Sequence, residues 1–325
     1  MDWLVYIAIF VGSVTSVVYG IVTVFSHTPR SELDEELKYI TNDEAGTVYD
    51  LPTRLTPQDG EYRDNGVELS IIIPCFNEVS RLGKMLDESI EFLQQNYRKL
   101  YEIIIIDDGS SDGTVQFALE KANEFKLPPH VLKAVHLTKN RGKGGAVTHG
   151  LLHCQGKLAL FADADGATKF SDVQKLIDYL KSIPDDIGAV AIGSRAHMVN
   201  TDAVVKRSFI RNFLMYGLHT LVYIFGIRDI KDTQCGFKMF NFHAIKNIFP
   251  YMHTERWIFD VEVLLLAEMQ LMKIKEIPVN WQEIGGSKID IARDSIEMAI
   301  DLVVTRLAYI FGIYNINPNS SKKNI

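Results

Sequence analysis

The stretch Leu158-Ala-Leu-Phe-Ala-Asp-Ala-Asp-Gly166 constrains the fold more than any other. Five uncharged residues run without a break into Asp163-Ala164-Asp165. An apolar run of that length with no alternation reads as a strand buried on both faces. The acidic turn then lies at the strand's carboxyl end, the edge where open α/β sheets bind ligands. Two carboxylates one residue apart can share a hard divalent cation, or one can hold metal while the other accepts from a ligand hydroxyl. From this stretch alone, an Asp-Gly turn without a ligand is an equally good reading.

The same pattern recurs upstream. Residues 69–73 form a short apolar run stopped by Pro74, and residues 102–106 form another that leads into Asp107-Asp-Gly-Ser-Ser-Asp-Gly113. Helical periodicity fills 82–100, 114–125 and 144–154, and a further strand is expected at 131–137. Strands and helices alternating at this spacing predict a parallel sheet covered on both faces. Right-handed crossovers bring every strand's carboxyl end to one edge. The polar clusters 74–78, 107–112 and 163–165 therefore converge on one crevice. A run such as Asp107-Asp-Gly-Ser is by itself an ordinary helix-entry turn. Three such turns on one edge set their carboxylates against each other unless a cation or ligand donors offset the charge. Nucleoside hydroxyls, a base N–H and a diphosphate-bound Mg2+ or Mn2+ would do so. No glycine follows Ile73 until Gly83, and no G-x-x-x-x-G-K-[ST] occurs, so dinucleotide-fingerprint and P-loop readings fall away.

Ahead of this lies a different kind of sequence. Residues 3–25 carry no charge, enough to cross a hydrocarbon core, and the start Met1-Asp2 is not that of a cleaved leader. Arg30 and Lys38 follow the span and no Lys or Arg precedes it, so the positive-inside bias predicts a single-pass anchor with the rest of the chain in the cytosol. Residues 27–66 are polar, acid-rich and turn-rich, and read as a linker with a short helix near 32–39. The expected organisation is an anchor at 1–26, a linker at 27–66, an α/β domain at 67–295, and an amphipathic helix with a polar tail at 296–325. Cys75, Cys154 and Cys235 lie far apart, which suits a reducing compartment and suggests neither disulfides nor zinc. The net charge of −7 argues against a nucleic-acid surface.

In order and spacing, Pro74-Cys-Phe-Asn-Glu78, Asp107-Asp-Gly-Ser110, Asn140-Arg-Gly-Lys-Gly144, Asp163-Ala-Asp165, Gly193-Ser-Arg195, Asp232-Thr-Gln-Cys-Gly236 and Glu255-Arg-Trp257 resemble the family-2 glycosyltransferases. Among them the chain is most similar to the dolichyl-phosphate β-glucosyltransferases of the endoplasmic reticulum. The resemblance covers about 67–295. It implies a GT-A fold, a mostly parallel sheet with helices on both faces, accompanied by the transmembrane helix and membrane-interfacial helices. It also implies inverting transfer of glucose from UDP-glucose to dolichyl phosphate for N-glycan precursors.

By the same resemblance, Pro74, Phe76, Asn77, Glu78, Asp107 and Asp108 line the nucleoside pocket. Arg141 and Lys143 lie near the base or diphosphate, and Ala164 falls between the two acids. Asp165 is the principal ligand of Mg2+ or Mn2+, with Asp163 beside it. Where the mannosyltransferases carry a Gln two residues after the second Asp, this chain has Ala167, so no third ligand is implied. Arg195, Arg211 and Lys238 match residues that grip the lipid phosphate. Arg256, Trp257 and Asp260 match a sugar-binding role, a buried Trp257 with no ligand being the ordinary alternative. The segment 208–225 is too apolar for a solvent face and reads as a helix in the membrane plane, with Arg211 as a surface arginine in the plainer reading. Residues 298–314 read equally well as a similar helix or as part of the core. A GDP-mannose enzyme and an inactive, membrane-tethered nucleotide-sugar binder are the rival functions.

Overall fold

The computed structural model describes residues 2–316 apart from 44–45, 63, 98–99, 199–216, 218–219, 221–226, 229 and 286–290. The segment 208–225 and its Arg211 therefore lie outside the described residues, except Gly217 and Thr220.

Among the described residues, seven strands form the main sheet: β3 (Leu69–Cys75), β4 (Tyr101–Asp107), β5 (Leu132–His136), β6 (Leu158–Ala162), β7 (Ala189–Ser194), β8 (Phe237–Asn241) and β9 (Lys273–Pro278). Their order is β5-β4-β3-β6-β8-β7-β9, and β8 alone runs against the rest. Isoleucine-rich β3 and β4 are buried on both faces because helices cover both sides. At the edge, β9 alternates and turns Lys273 and Lys275 outward, which blunts strand addition. The strand expected to stop at Pro74 runs on to Cys75. Beyond Ile72 it pairs only with β4, and that open flank tolerates a proline.

The winding fixes where a ligand can sit. From β3 the chain moves outward through α2 (Val79–Asn96), β4 and α3 (Thr114–Glu124) to β5. Helix α4 (Gly142–Leu152) then carries it back to β6, on the other side of β3. The β3/β6 pair is thus a topological switch point, with a crevice beyond the carboxyl ends of its strands. Both the 74–78 turn and Asp163 leave the sheet there. Helices α5 (Val173–Lys181), α6 (Phe242–Ile248) and α7 (Phe259–Met269) complete the layers.

Helix α1 (Asp2–Phe25) is long and apolar enough to cross a membrane and is exposed along most of its length. Its end meets α8 (Ile291–Ile310), where Val22 is buried and Tyr19 packs edge-on against Phe311, ring centroids 5.7 Å apart. Helix α8 buries Met298, Leu302, Ala308 and Tyr309 and leaves Ile296, Ile300 and Ile310 exposed.

The segment read as a linker is instead part of the packed structure. It forms a 3-10 turn at Asp34–Leu37 and a two-stranded sheet of β1 (Lys38–Tyr39) and β2 (Tyr49–Asp50). Ile40 bridges to Ala134 in β5. Glu36 is fully buried, bound by Arg30 at 2.5 and 2.8 Å and by the Thr138 amide at 3.0 Å. Acidic composition suggested solvent, but Glu36 is bonded onto the domain through Thr138. The three cysteines are free and buried.

At the opposite end of the strands from the crevice, Glu102 is buried and accepts from Ser70 Oγ at 2.5 Å, Lys133 Nζ at 2.5 Å and the Gln155 amide at 2.6 Å. This knot joins β3, β4, β5 and the turn into β6. Removing one member leaves an uncompensated buried charge. Glu102→Ala is expected to cost about 3–5 kcal/mol, read as a lowered midpoint of thermal or urea unfolding. A midpoint near that of the wild type would refute this role.

Candidate active site

A cleft of about 630 Å³ opens at the switch point. Its walls come from the three acidic turns, from the start of α4, from 253–257 and α8, and from His27 to Arg30 just after α1.

The first turn is held by its neighbours. Asn77 has φ +53°, its amide donates to Ser110 Oγ at 2.7 Å, and its side-chain oxygen accepts from the Ser111 amide at 2.8 Å. These bonds clamp the first turn to the second. The Glu78 amide donates to Thr114 Oγ1 at 2.9 Å, and its carboxylate is held by Arg81 at 2.8 and 2.5 Å. Phe76 remains half exposed beside them.

In the second turn, Asp107 is buried, paired with His136 Nδ1 at 2.7 Å and accepting from the Ser110 amide at 3.2 Å. Asp108 accepts from the amides of Arg141 and Gly142 at 2.6 and 2.9 Å, at the start of α4. Those are orphan donors of a helix N-terminus, which favours a negative group there. Burial nevertheless pushes the Asp108 carboxyl up to about 7, with neighbouring Asp107 adding to the rise against the two amide bonds.

The third turn holds Asp163 and Asp165. The Asp163 amide donates to Gly236 O at 2.9 Å, and Lys143 Nζ lies 2.6 Å from its Oδ1. A Cβ on Gly236 would fall 2.0 Å from Asp163 Oδ2, so only glycine fits beside this carboxylate. Asp165 accepts from the Ala167 amide at 3.0 Å, and Arg81 Nη1 is 3.7 Å away. Burial raises the Asp165 carboxyl above the usual range, and the charge of Asp163 adds to it. Lys143 is held protonated: burial acts against its charge, and Asp163 and Asp260 outweigh it. Two carboxylates on one turn, with the nearest cation to Asp165 at 3.7 Å, are a donor set that fits a hard divalent cation.

Of the residues singled out in the sequence, Pro74, Phe76, Glu78, Asp108, Arg141, Lys143, Asp163, Ala164, Asp165, Arg256 and Trp257 meet in this cleft. Asn77 and Asp107 stand behind it as supports. Arg195 lies apart, bidentate to Asp232 at 2.8 and 2.7 Å and over the Trp281 ring at 5.5 Å. Lys238 and Asp260 do not reach the cleft as the resemblance implied. Both are buried, and the Lys238 ammonium is taken up by Asp260 and by Cys235 O at 2.7 Å. Arg81 and the 27–30 stretch were missed, and Glu255 was noted only as part of the Glu255-Arg-Trp257 motif. Arg81 had a legible signal, since Glu78 and Arg81 are three apart where a helix begins. Glu255 receives Arg141 at 2.6–2.8 Å, and no local pattern announces that pair.

Residues 70–249 match the protein family described as Glycosyl transferase family 2. The dolichyl-phosphate beta-glucosyltransferase of Saccharomyces cerevisiae is 54% identical over 92% of this chain and 91% of its own length. The human protein of the same name is 37% identical over 90% of this chain and 89% of its own. Among solved structures, glucosyl-3-phosphoglycerate synthase from Mycobacterium tuberculosis, in complex with Mn2+, UDP and glucosyl-3-phosphoglycerate, superposes with a TM-score of 0.51 at 17% identity. It covers 79% of this chain and 87% of that one. The mannosyltransferase PcManGT from Pyrobaculum calidifontis, in complex with GDP-Man and Mn2+, gives 0.50 at 17% identity over 83% and 70%. At that identity the likeness speaks for the fold, which is GT-A-like.

The raised Asp108 carboxyl has a consequence for stability. An unfolded Asp titrates near ~3.9, so the folded chain holds this proton more tightly. Its contribution is therefore full below about pH 4 and is lost as pH rises towards 7. Between pH 5 and 8, Asp108→Asn should lose part of the wild type's fall in unfolding midpoint, the difference appearing mainly below pH 7. Parallel profiles would show that Asp108 is not the group responsible.

Proposed function

The chain belongs to glycosyl transferase family 2 and, within it, to the dolichyl-phosphate β-glucosyltransferases, and on that premise we propose that it moves glucose from UDP-glucose to dolichyl phosphate with inversion. The observation that carries the reading is a cleft at the switch point in which Asp163 and Asp165 face the cations Lys143 and Arg81. Such a site takes a ligand that brings both hydroxyl donors and diphosphate charge.

The acceptor is a phosphate monoester with a second pKa near ~6, mostly dianionic at neutral pH. Its oxygen bonds to the anomeric carbon as the bond to UDP breaks, so no side chain has to remove a proton. One in-line displacement on the α-linked donor gives the β-linked dolichyl glucosyl phosphate. Glu78 and Asp108 accept from the nucleoside, with Pro74 and Phe76 against its faces. Lys143 and Arg81 carry positive charge beside the departing diphosphate. Mg2+ or Mn2+ held by Asp165 and Asp163 would offset the rest of that charge. Trp257, with Lys143 Nζ 5.9 Å from its ring, offers the sugar a flat apolar face, and Arg256 offers it donors. Arg211 and Arg195 are the proposed grips for the lipid phosphate, since a guanidinium binds it bidentately; Arg195 would exchange its two bonds to Asp232 for the phosphate.

The purified chain should glucosylate dolichyl phosphate from UDP-glucose and leave GDP-mannose unused. Asp165→Asn should slow transfer by a few orders of magnitude, the loss of several kcal/mol of charge stabilisation. In the same assay Arg211→Ala should raise the KM for the lipid or lower kcat while UDP affinity holds. Near-normal turnover by Asp165→Asn with Mg2+ or Mn2+ present would sink the metal assignment, and preference for GDP-mannose the donor assignment.

The proposed location is the endoplasmic reticulum membrane, with one span and the domain on the cytosolic side, a reading supported by Arg30 and Lys38 just after α1. Protease added to sealed microsomes is expected to digest everything beyond about residue 30, and protection of the whole domain would reverse this orientation.

A further inference from the structure

Away from the cleft, His149 on α4 and His153, which caps its carboxyl end, stand four residues apart, both buried against the segment that follows Arg30. Glu32 from that segment brings its Oε1 to 3.1 Å from His149 Nδ1 and 3.4 Å from His153 Nε2. The far nitrogen of each ring meets a backbone carbonyl: His149 Nε2 lies 3.0 Å from Glu36 O, and His153 Nδ1 lies 2.7 Å from Pro52 O. A carbonyl oxygen only accepts, so those two nitrogens carry the protons. In a neutral imidazole the remaining nitrogen is then a lone pair. Both lone pairs point at a carboxylate oxygen, itself an acceptor. Three acceptors converging on one point repel one another unless a cation lies between them.

The surroundings are those of a metal site. Each histidine donates its other N–H to a fixed carbonyl, and Arg54 Nη1 holds the second oxygen of Glu32 at 2.9 Å. Such outer bonds fix the tautomer and aim the ligand atoms. The spacing also fits. A tetrahedral ion with bonds of about 2.0–2.1 Å places its ligand atoms about 3.3 Å apart, and the three atoms here lie within 4.8 Å of one another. We propose that Glu32, His149 and His153 bind one divalent transition-metal ion, Zn2+ by donor chemistry. Two imidazoles and a single carboxylate favour it over Mg2+, which wants an oxygen shell. None of the three residues lines the catalytic cleft. The ion is structural: it fastens the 31–54 stretch to α4, whose first turn carries Arg141 and Gly142.

The test uses the full chain in detergent micelles, carrying Asp165→Asn to remove one carboxylate of the cleft pair, stripped with a chelator and titrated calorimetrically with Zn2+. One ion per chain is expected, with a rise in unfolding temperature. His149→Gln and His153→Asn place an amide N–H where the Nε2 and Nδ1 protons were, so each keeps its carbonyl bond and loses only the ligand atom. Each should weaken Zn2+ by more than the roughly ten- to hundredfold lost with an outer partner, and Zn2+ should no longer raise its unfolding temperature. No Zn2+ uptake by the parent, as when a proton alone occupies the site, overturns the proposal. So does undiminished uptake by either variant.

Discussion

Negative charge gathered at the carboxyl ends of parallel strands is the constraint on which the rest of this structure depends. Glu78, Asp107, Asp108, Asp163 and Asp165 all leave the sheet on one edge, and partly desolvated carboxylates at close range cannot all stay ionised without compensation. Each has found a different answer. Glu78 has Arg81, Asp107 has His136, Asp108 has the first amides of α4, and Asp163 has Lys143. Asp165 is the least compensated of the described set, with one amide and a guanidinium at 3.7 Å. Burial raises its carboxyl, with the charge of Asp163 adding to the rise, and a bound cation would offset both effects. The site is thus charge-balanced except where the proposed chemistry would add charge of its own.

The glycines of Asn140-Arg-Gly-Lys-Gly-Gly145 serve packing. Gly142 has φ +81°, and a Cβ there would lie 2.6 Å from Glu255 O. At Gly144 it would lie 2.5 Å from the Phe259 Cβ. The missing side chains let the 255–259 backbone settle on the first turn of α4, where the Gly145 amide donates to Glu255 O at 3.0 Å. That close approach carries Arg256 and Trp257 to the cleft rim and sets Glu255 on Arg141. The glycines of this run serve a helix-to-loop contact.

What the sequence disclosed was local or periodic. The doubly buried strands, the winding order and the acid at each strand end all follow from short patterns, and the topology then brings those turns together. What it hid depends on pairs far apart in the chain. The resemblance assigned Lys238 to the lipid phosphate, yet its charge is taken up by Asp260, 22 residues on, a pairing no local pattern displays. Glu32 and His149 lie 117 residues apart, so an acidic stretch passed for a solvated linker. Polar composition marks a loop only when its charges lack partners, and a single chain does not display its partners.

The stretch between span and domain also bears on how a lipid substrate could reach a polar cleft. Helix α1 ends at Phe25, and His27 already lines the cleft wall. Two residues of chain span at most about 7 Å, so this wall cannot stand far from the end of α1. The connection is also tied down. The His27 amide donates to Tyr314 Oη at 2.5 Å, and its ring meets Asp301 of α8 at 3.1 Å, a hydrogen bond that raises the imidazole's pKa against the effect of burial. Three residues on, the carbonyl of Arg30 accepts from Arg141 at 3.1 Å. With α1 in a bilayer, these contacts hold one side of the cleft at headgroup depth, where a polyprenyl phosphate carries its charge. The proposed acceptor can then present its phosphate while its chain stays in hydrocarbon, and the water-soluble donor enters from the exposed side. An anchor joined by a loose tether would leave that distance to chance.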